Sequence, residues 1–264
     1  MPSPTQHSSI LDGILKDEAS PLNRISELIQ PGSKVLDIGA GRGILGEILS
    51  KKGKLCSLDA IEPGKCAKDI KGYCEIHQGS VEQHLNELDL SIYDFVVLAD
   101  VVEHLIDPLP VLQSLALGIK SEAKILISLP NISFSSVRLG LLNGHFPYSD
   151  SGILDRTHLH FYTLASIKEL INAIGHGIRS DLLFRLNRGP WDSEIPIAMI
   201  QTPYWVLRYI FKDPEALVYQ YIVQLSKNQK AIAYEENFGH HRRPPFYYYW
   251  KLSRKLLKQH HNPN

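Results

Sequence analysis

The sequence predicts a doubly wound α/β domain on a mostly parallel sheet. Two observations carry this. An apolar run over residues 34–38 breaks into a turn with Gly39, Gly41 and Gly43, and an amphipathic run with Ile44, Leu45, Ile48 and Leu49 follows. That is the strand–turn–helix order of the first unit of such a domain. Beyond it, short apolar runs alternate with helical patterns at spacings that suit parallel strands with helices on both faces.

Taken in order, residues 23–29 read as a helix leading into the first strand, 34–38. The glycines come next because the backbone must turn sharply and lie close to a ligand. A dinucleotide-binding turn would place glycine at position 44, which is Ile44 here, so a nicotinamide dehydrogenase is disfavoured. The second strand is read over 55–61 and is followed by Glu62. A weak third strand runs from Tyr73 to His77 and stops at Gly79. Residues 94–98, with paired valines and no alternation, read as a fourth strand buried on both faces. A helix over 109–117 leads to a fifth strand at 125–129. Thr163 suits the N-cap of a helix over 164–173, and Gly175 its end. The sixth and seventh strands fall at 179–186 and 217–225, the latter near an edge, with Gln220 and Gln224 on one face.

Two stretches interrupt this order. Residues 131–162 follow the fifth strand. Residues 187–213 separate the sixth and seventh and are too long for a simple hairpin. Ligands of open α/β sheets sit beyond the carboxyl ends of the strands. Both insertions are expected to leave that edge and form a lid, bringing Phe146, Tyr148, His158 and Trp191 to an acceptor. Residues 1–227 are read as one domain with these lid insertions, and 228–264 as a basic, aromatic tail. Its last part carries Arg242, Arg243, Lys251, Arg254, Lys255 and Lys258 with no acid, beside an aromatic block, Phe246 to Trp250. Two readings stand for it: a helix packing its aromatics on the domain, and peripheral contact with an anionic membrane surface.

Composition narrows the function classes. The 264 residues hold 28 Lys+Arg and 28 Asp+Glu, which gives no electrostatic case for a nucleic-acid partner. The three cysteines, Cys56, Cys66 and Cys74, form no C-x-x-C pair. This fits a reducing compartment and argues against a disulfide frame and a zinc site. The first twenty residues lack the charged-then-apolar order of a signal peptide, and no apolar run is long enough to span a bilayer. A cytoplasmic protein is expected.

The run VLDIGAGRG, Val35 to Gly43, with Glu62 in LDAIEPG, resembles the opening motifs of the class I methyltransferases that use S-adenosylmethionine (SAM). The resemblance implies their Rossmann-like sheet of seven strands, closed by an antiparallel pair, and SAM as cofactor. It implies that the backbone at Gly39, Ala40, Gly41 and Gly43 approaches the methionine part of SAM, with Asp37 organising the turn. Glu62 would hold both ribose hydroxyls, a task for a group that only accepts hydrogen bonds. Ser80, Val81 and Ala99 complete the implied cofactor set. The acid usual after the third-strand glycine is replaced by Ser80, with Glu82 or a backbone carbonyl as substitutes.

After the fourth strand, ADVVEH places Asp100, Glu103 and His104 at i, i+3 and i+4, where one helical face would carry all three. One reading is structural, with Asp100 as an N-cap and Glu103 closing a capping box. Another makes His104 the general base, since histidine suits proton transfer near neutral pH. His158 is its chief rival, and His145 a second. A similar acid-x-x-Glu-His run is implicated in magnesium binding in quinone O-methyltransferases, so a Mg2+ site at Asp100, Glu103 and His104 is a subordinate expectation.

GILDRTHLHFYT, residues 152–163, resembles the GILDxTHLRFFT block of a bacterial methyltransferase branch, and ALVYQYIV, residues 216–223, fits the same branch. The family's usual arginine is His160 here. The resemblance implies transfer of a methyl group to a hydroxyl of a small-molecule or glycan acceptor. Tyr148, Asp155 and Thr157 are the expected substrate contacts, unless Asp155 and Thr157 bind their own loop backbone. The acid- or Asn-Pro-Pro-aromatic motif of nucleic-acid amino-methyltransferases is missing after the fourth strand. A non-catalytic scaffold in a glycan or lipid assembly complex is the alternative.

Overall fold

The structure, a computed structural model, describes residues 11–175, 177–189, 202–227 and 236–239. Helix α1 (Pro21–Leu28) starts at Ser20, whose hydroxyl accepts the Asn23 N–H, with proline in the first turn where no intrahelical N–H is needed. Strand β1 (Lys34–Ile38), helix α2 (Ile44–Lys51) and strand β2 (Ser57–Glu62) follow. Then come β3 (Glu75–Gln78), the short α3 (Val81–His84), β4 (Phe95–Ala99), α4 (Pro108–Gly118) and β5 (Lys124–Pro130). The later elements are α5 (Ser135–Leu142), α6 (Leu164–Ile174), β6 (Ile178–Asn187), α7 (Tyr204–Ile210), β7 (Val218–Lys227) and β8 (Glu236–Gly239).

The sheet order is β3-β2-β1-β4-β5-β7-β6-β8. Strands β1 to β5 are mutually parallel, and β7 runs antiparallel to both β5 and β6. The chain winds outward from β1 to β3, then back across to β4, so the order reverses between β1 and β4. That reversal opens a crevice at the carboxyl ends of these strands. Alternate β1 residues feed two apolar layers. Leu36 and Ile38 pack with Leu112 and Leu115 of α4 and Ile167 of α6, while Val35 packs with Ile25 of α1 and Leu45 and Leu49 of α2. Burial on both faces explains why the strands read as unbroken apolar runs.

Three expectations change. Strand seven is not near an edge: β7 lies between β5 and β6, and its burial is nearly continuous. The third strand begins at Glu75, because Tyr73 leaves the ladder to bond Asp37. An eighth strand, β8, falls within the stretch read as a tail and pairs parallel to β6. The basic aromatic part, 240–264, and Trp191 lie outside the described residues.

Helix α6 starts and stops as its sequence predicts. The Thr163 hydroxyl accepts the Ser166 N–H at 3.2 Å, the Ser166 hydroxyl oxygen accepts the Thr163 N–H at 2.8 Å, and Gly175 ends the helix at φ 122°. Both insertions leave the carboxyl edge, one after β5 and one after β6, which runs parallel to it through their shared neighbour β7. The first is tied at its base. Ile132 N–H donates to Tyr162 O at 2.8 Å, and the buried Asn131 amide donates to Val218 O at 2.8 Å. Phe134, Val137, Ile153 and Leu154 give it a small core of its own. Leu139 of α5 packs against Leu207 and Ile210 of α7, so the two insertions meet.

Candidate active site

The glycine turn after β1 is left-handed at Gly39 (φ 70°), Gly41 (φ 58°) and Gly43 (φ 78°), where a side chain would be strained. Close approach adds to this at Gly39, whose added Cβ would lie 2.5 Å from Val101 Cγ2. At Gly41 an added Cβ would meet nothing within 4 Å, so the turn presents an open face there. Glu62, buried at the end of β2, accepts the Gly41 N–H at 2.7 Å through Oε2 and the Gly64 N–H at 2.6 Å through Oε1. The Cys66 thiol is a second, longer donor to Oε1 at 3.7 Å; a carboxylate has about four acceptor positions, so Oε2 keeps room for a hydroxyl donor and Oε1 keeps room if the weak thiol contact yields.

Beyond the carboxyl ends of β1, β2 and β4 lies a cavity of about 670 Å³. Ile38, Ile61, Val81, Val101, Leu105 and Val111 give it apolar walls, and Glu62, Ser80, Asp100 and His104 are polar points in them. Gly39 and Glu82 also line it. The Ser80 N–H is taken by Gln83 Oε1 at 2.9 Å. Asp37, Ala40, Gly41, Gly43 and Ala99 flank this wall rather than form it.

Asp37 is organised from below. The Tyr73 hydroxyl donates to Asp37 Oδ2 at 2.6 Å and accepts the Gly46 N–H at 3.1 Å. A Cβ on Gly46 would sit 2.7 Å from the Tyr73 ring, which explains a glycine inside helix α2. Burial raises the Asp37 carboxyl to about 7; the Tyr73 hydrogen bond opposes this and the Glu62 charge adds to it. An acid raised in the folded state binds its proton more tightly there than in the unfolded chain. Its contribution to stability is therefore largest below the ordinary carboxylate range and is lost as pH rises to about 7. The Asp37→Asn variant is expected to melt progressively higher than the native chain as pH is raised from 5 to 8. Parallel thermal denaturation of the two across that range checks it; a constant difference would show that Asp37 does not titrate there.

The next turn departs from the sequence expectation. Asp100 is not an N-cap. It sits at φ 56°, its carboxylate accepts from Ser128 Oγ at 2.7 Å and from the Gln220 amide, and its N–H donates to Ser128 Oγ at 3.0 Å. Val102–His104 form a single 3-10 turn, so Asp100, Glu103 and His104 do not share a helical face. Asp100 and His104 line the cavity, whereas Glu103 is wholly buried outside its wall. Neither Glu103 carboxylate oxygen has a hydrogen-bond partner, and burial, with the Asp100 charge, pushes this acid well above the usual range.

His104 Nδ1 lies 3.2 Å from both Thr157 O and Thr157 Oγ1. The carbonyl only accepts, so Nδ1 carries the hydrogen and Nε2 the lone pair. Thr157 is fixed in turn by Asp155, which accepts its N–H at 2.7 Å and its hydroxyl at 2.6 Å. His158 stacks edge-on behind His104, ring centres 4.7 Å apart, with its side chain 5% exposed. Its Nδ1 donates to Ile153 O at 3.1 Å, leaving Nε2 4.0 Å from Glu103 Oε1. Tyr148 is exposed and packs edge-on against Phe146, outside the cavity wall.

A family model for a methyltransferase domain matches residues 15–180. The chain belongs to this methyltransferase family. Curated relatives include the ubiquinone biosynthesis O-methyltransferases of Aliivibrio fischeri, 35% identical over 40% of this chain and 47% of that protein, and of Vibrio vulnificus, 29% identical over 46% and 58%. The chain thus spans about half the length of the curated relatives it matches. Among solved structures, a SAM-dependent methyltransferase from Archaeoglobus fulgidus aligns with a TM-score of 0.55 at 20% identity, covering 79% of this chain and 92% of that one. The plantazolicin methyltransferase in complex with a monoazolic substrate analogue and S-adenosylhomocysteine (SAH) aligns at 0.52 and 18%, covering 86% and 91%. At these identities the likeness concerns the fold, which is that of SAM-dependent methyltransferases.

The chain brings Gly39, Glu62, Ser80, Val81, Asp100 and His104 to one cavity, and holds Asp155, Thr157 and His158 directly behind His104. Three supporting residues were missed in the sequence: Tyr73, Ser128 and Gln220. Gln220 carried a signal, since a polar amide in an otherwise apolar core strand needs a partner. The other two had none.

Proposed function

We propose that this methyltransferase moves a methyl group from SAM to a hydroxyl of a small-molecule or glycan acceptor. The observation that carries the reading is His104: it lines the cavity with Nδ1 committed to Thr157, so that Nε2 is left to receive a proton. The names of the ubiquinone biosynthesis relatives support oxygen as the target and a small molecule as the acceptor. Glycan acceptors rest on the resemblance of the 152–163 block.

The residues present fit SAM. The open face at Gly41 would admit its methionine part, and Glu62 retains acceptor positions for the ribose hydroxyls. Val81, Leu105 and Val111 offer apolar wall to a base, and Glu82, which lines the same cavity, could accept from its amino group in place of the missing acid. When bound, SAM supplies an electrophilic methyl on a cationic sulfur. The chain's own task is to align the acceptor, exclude water with the two insertions, and take the hydroxyl proton at His104 Nε2. Asp155 and Thr157 act by holding the His104 ring rather than by touching the acceptor.

A second reading is favoured by Glu103. Its unpartnered oxygens and the His104 and His158 ring nitrogens offer ligand atoms all within 4.8 Å of one another. Two imidazoles and one carboxylate suit zinc, manganese or iron, whereas magnesium prefers an all-oxygen shell. Asp100, given over to Ser128 and Gln220, is not in this group.

Isothermal calorimetry with SAH, followed by mass analysis of cell extracts incubated with protein and SAM, tests the main reading. Binding and an extract product heavier by one methyl on oxygen are expected. Failure to bind SAH, or methylation on nitrogen or carbon, would overturn it.

A further inference from the structure

Asp100 leaves one carboxylate oxygen open to the cavity. Both of its side-chain donors, Ser128 Oγ at 2.7 Å and the Gln220 amide, go to Oδ1. Oδ2 accepts from no described residue, and Asp100 is an exposed residue of the cavity wall. The backbone holds it there. Asp100 stands at φ 56°, a region that non-glycine residues keep mainly where their surroundings fix them. Its own N–H donates to Ser128 Oγ at 3.0 Å, so one hydroxyl grips the residue at two points. Ser128 comes from β5 and Gln220 from β7, both on the side of β4 away from β1. The carboxylate is therefore fixed from behind, through one oxygen only.

Register decides which part of a ligand the other oxygen meets. Ile38 of β1 pairs with Leu98 of β4, so Asp100 leaves β4 beside the glycine turn that follows β1. Gly39 and Asp100 line the same cavity. On the SAM reading that turn receives the methionine part, while Glu62 serves the ribose at the end of β2. The methionine part carries an α-ammonium and an α-carboxylate. A fixed anionic oxygen attracts the first and repels the second. An ammonium has three donors and no acceptor, which complements an open carboxylate oxygen. The rest of the wall agrees in sign. Among the described residues lining the cavity are four acids, Glu62, Glu82, Asp100 and Asp107, and no Lys or Arg. A cleft lined by one sign of charge concentrates ligands of the other.

We propose that Asp100 Oδ2 accepts a hydrogen bond from the α-ammonium of the cofactor's methionine part, with Ser128 and Gln220 as its positioning residues. The inference deepens the SAM reading and rests on it. Asp100 then holds the methionine end as Glu62 holds the ribose, and turns the methionine carboxylate away from the acidic wall.

Calorimetry with SAH and with its deaminated analogue, which has hydrogen in place of the α-amino group, tests it. The native chain is expected to bind SAH about tenfold or more tightly than the analogue, the value of one charge-assisted hydrogen bond. Asp100→Asn suits the test, because asparagine keeps an oxygen for Ser128 and tolerates a left-handed φ. It sets an NH2 donor where the ammonium needs an acceptor. SAH should weaken about tenfold or more in this variant, and the analogue much less. Ser128→Ala should lose part of the preference, and Glu62→Ala should weaken both ligands alike. A native chain that binds SAH and the analogue equally overturns the inference, whatever the variants do. So does an Asp100→Asn variant that keeps the full preference, or one that weakens both ligands by the same factor, which would give Asp100 a structural role. No SAH binding by the native chain would instead remove the SAM reading, and this inference with it.

Discussion

Replacing Glu62 by Ala is expected to reduce SAH affinity by about a hundredfold or more in calorimetry. Two losses combine. On the proposed reading the carboxylate would accept from the ribose hydroxyls, and hydrogen bonds to a charged group are worth about 1.5–3 kcal/mol each. It also joins two loops, accepting from Gly41 at 2.7 Å and Gly64 at 2.6 Å, so its removal leaves both N–H groups without their partner. Glu62→Gln separates the two in part: its one oxygen accepts one of the two N–H groups while its NH2 meets the other as a second donor, so this variant should lose affinity and also melt below the native chain. Native SAH affinity in Glu62→Ala would refute the assignment of this carboxylate to the cofactor.

His104→Ala should lower kcat on the order of a hundredfold or more, with SAH affinity nearly unchanged, because a base acts in the transition state. The comparison with His158→Ala is informative. His158 lies behind His104 with its side chain 5% exposed, and burial and the neighbouring His104 charge hold its basicity below the ordinary value. It is poorly placed to meet an acceptor, and its loss should act mainly by loosening the His104 ring. Full activity in His104→Ala with none in His158→Ala would move the base into the insertion. If a chelator abolishes activity, zinc or manganese restores it and magnesium does not, then Glu103, His104 and His158 act together as metal ligands.

What the sequence disclosed and what it hid divide along physical lines. Strand β1 was read to the residue because its burial on both faces leaves an unbroken apolar run ended by glycines whose positive φ angles few other residues adopt. Glu62 was legible because its position depends on strand length alone. The caps of α6 were legible because Thr163 and Gly175 act within a few residues of themselves. Asp100 was misread because its partners are distant: Ser128 lies 28 residues on and Gln220 120 residues on, in strands brought beside β4 only by the sheet order. The spacing of Asp100, Glu103 and His104 suggested one helical face, but the chain takes a tighter turn there after a left-handed residue. Tyr73 looked like strand because its bonds to Asp37 and Gly46 cross from another loop. Strand β8 gave no sign, being short and set in a polar stretch.

The base of the first insertion has a consequence for how such a protein can diversify. Asn131 and Tyr162 are bridged to each other, and the Asn131 amide is anchored to β7, so the loop closes where it leaves the sheet. The segment is tied a second time near its end, where the Leu159 and His160 N–H groups donate to Glu103 O at 2.8 and 3.1 Å and Thr157 meets His104, so the stretch between the two ties is the part clear of the His104 turn. Changing the length of a loop whose ends are already joined costs little, about 0.6 kcal/mol for a doubling. The stretch from α5 to Tyr148 can therefore be rewritten as a cassette, exchanged for another of different size or shape, while Asp155 and Thr157 go on holding His104 and the glycine turn and Glu62 keep their places on the sheet.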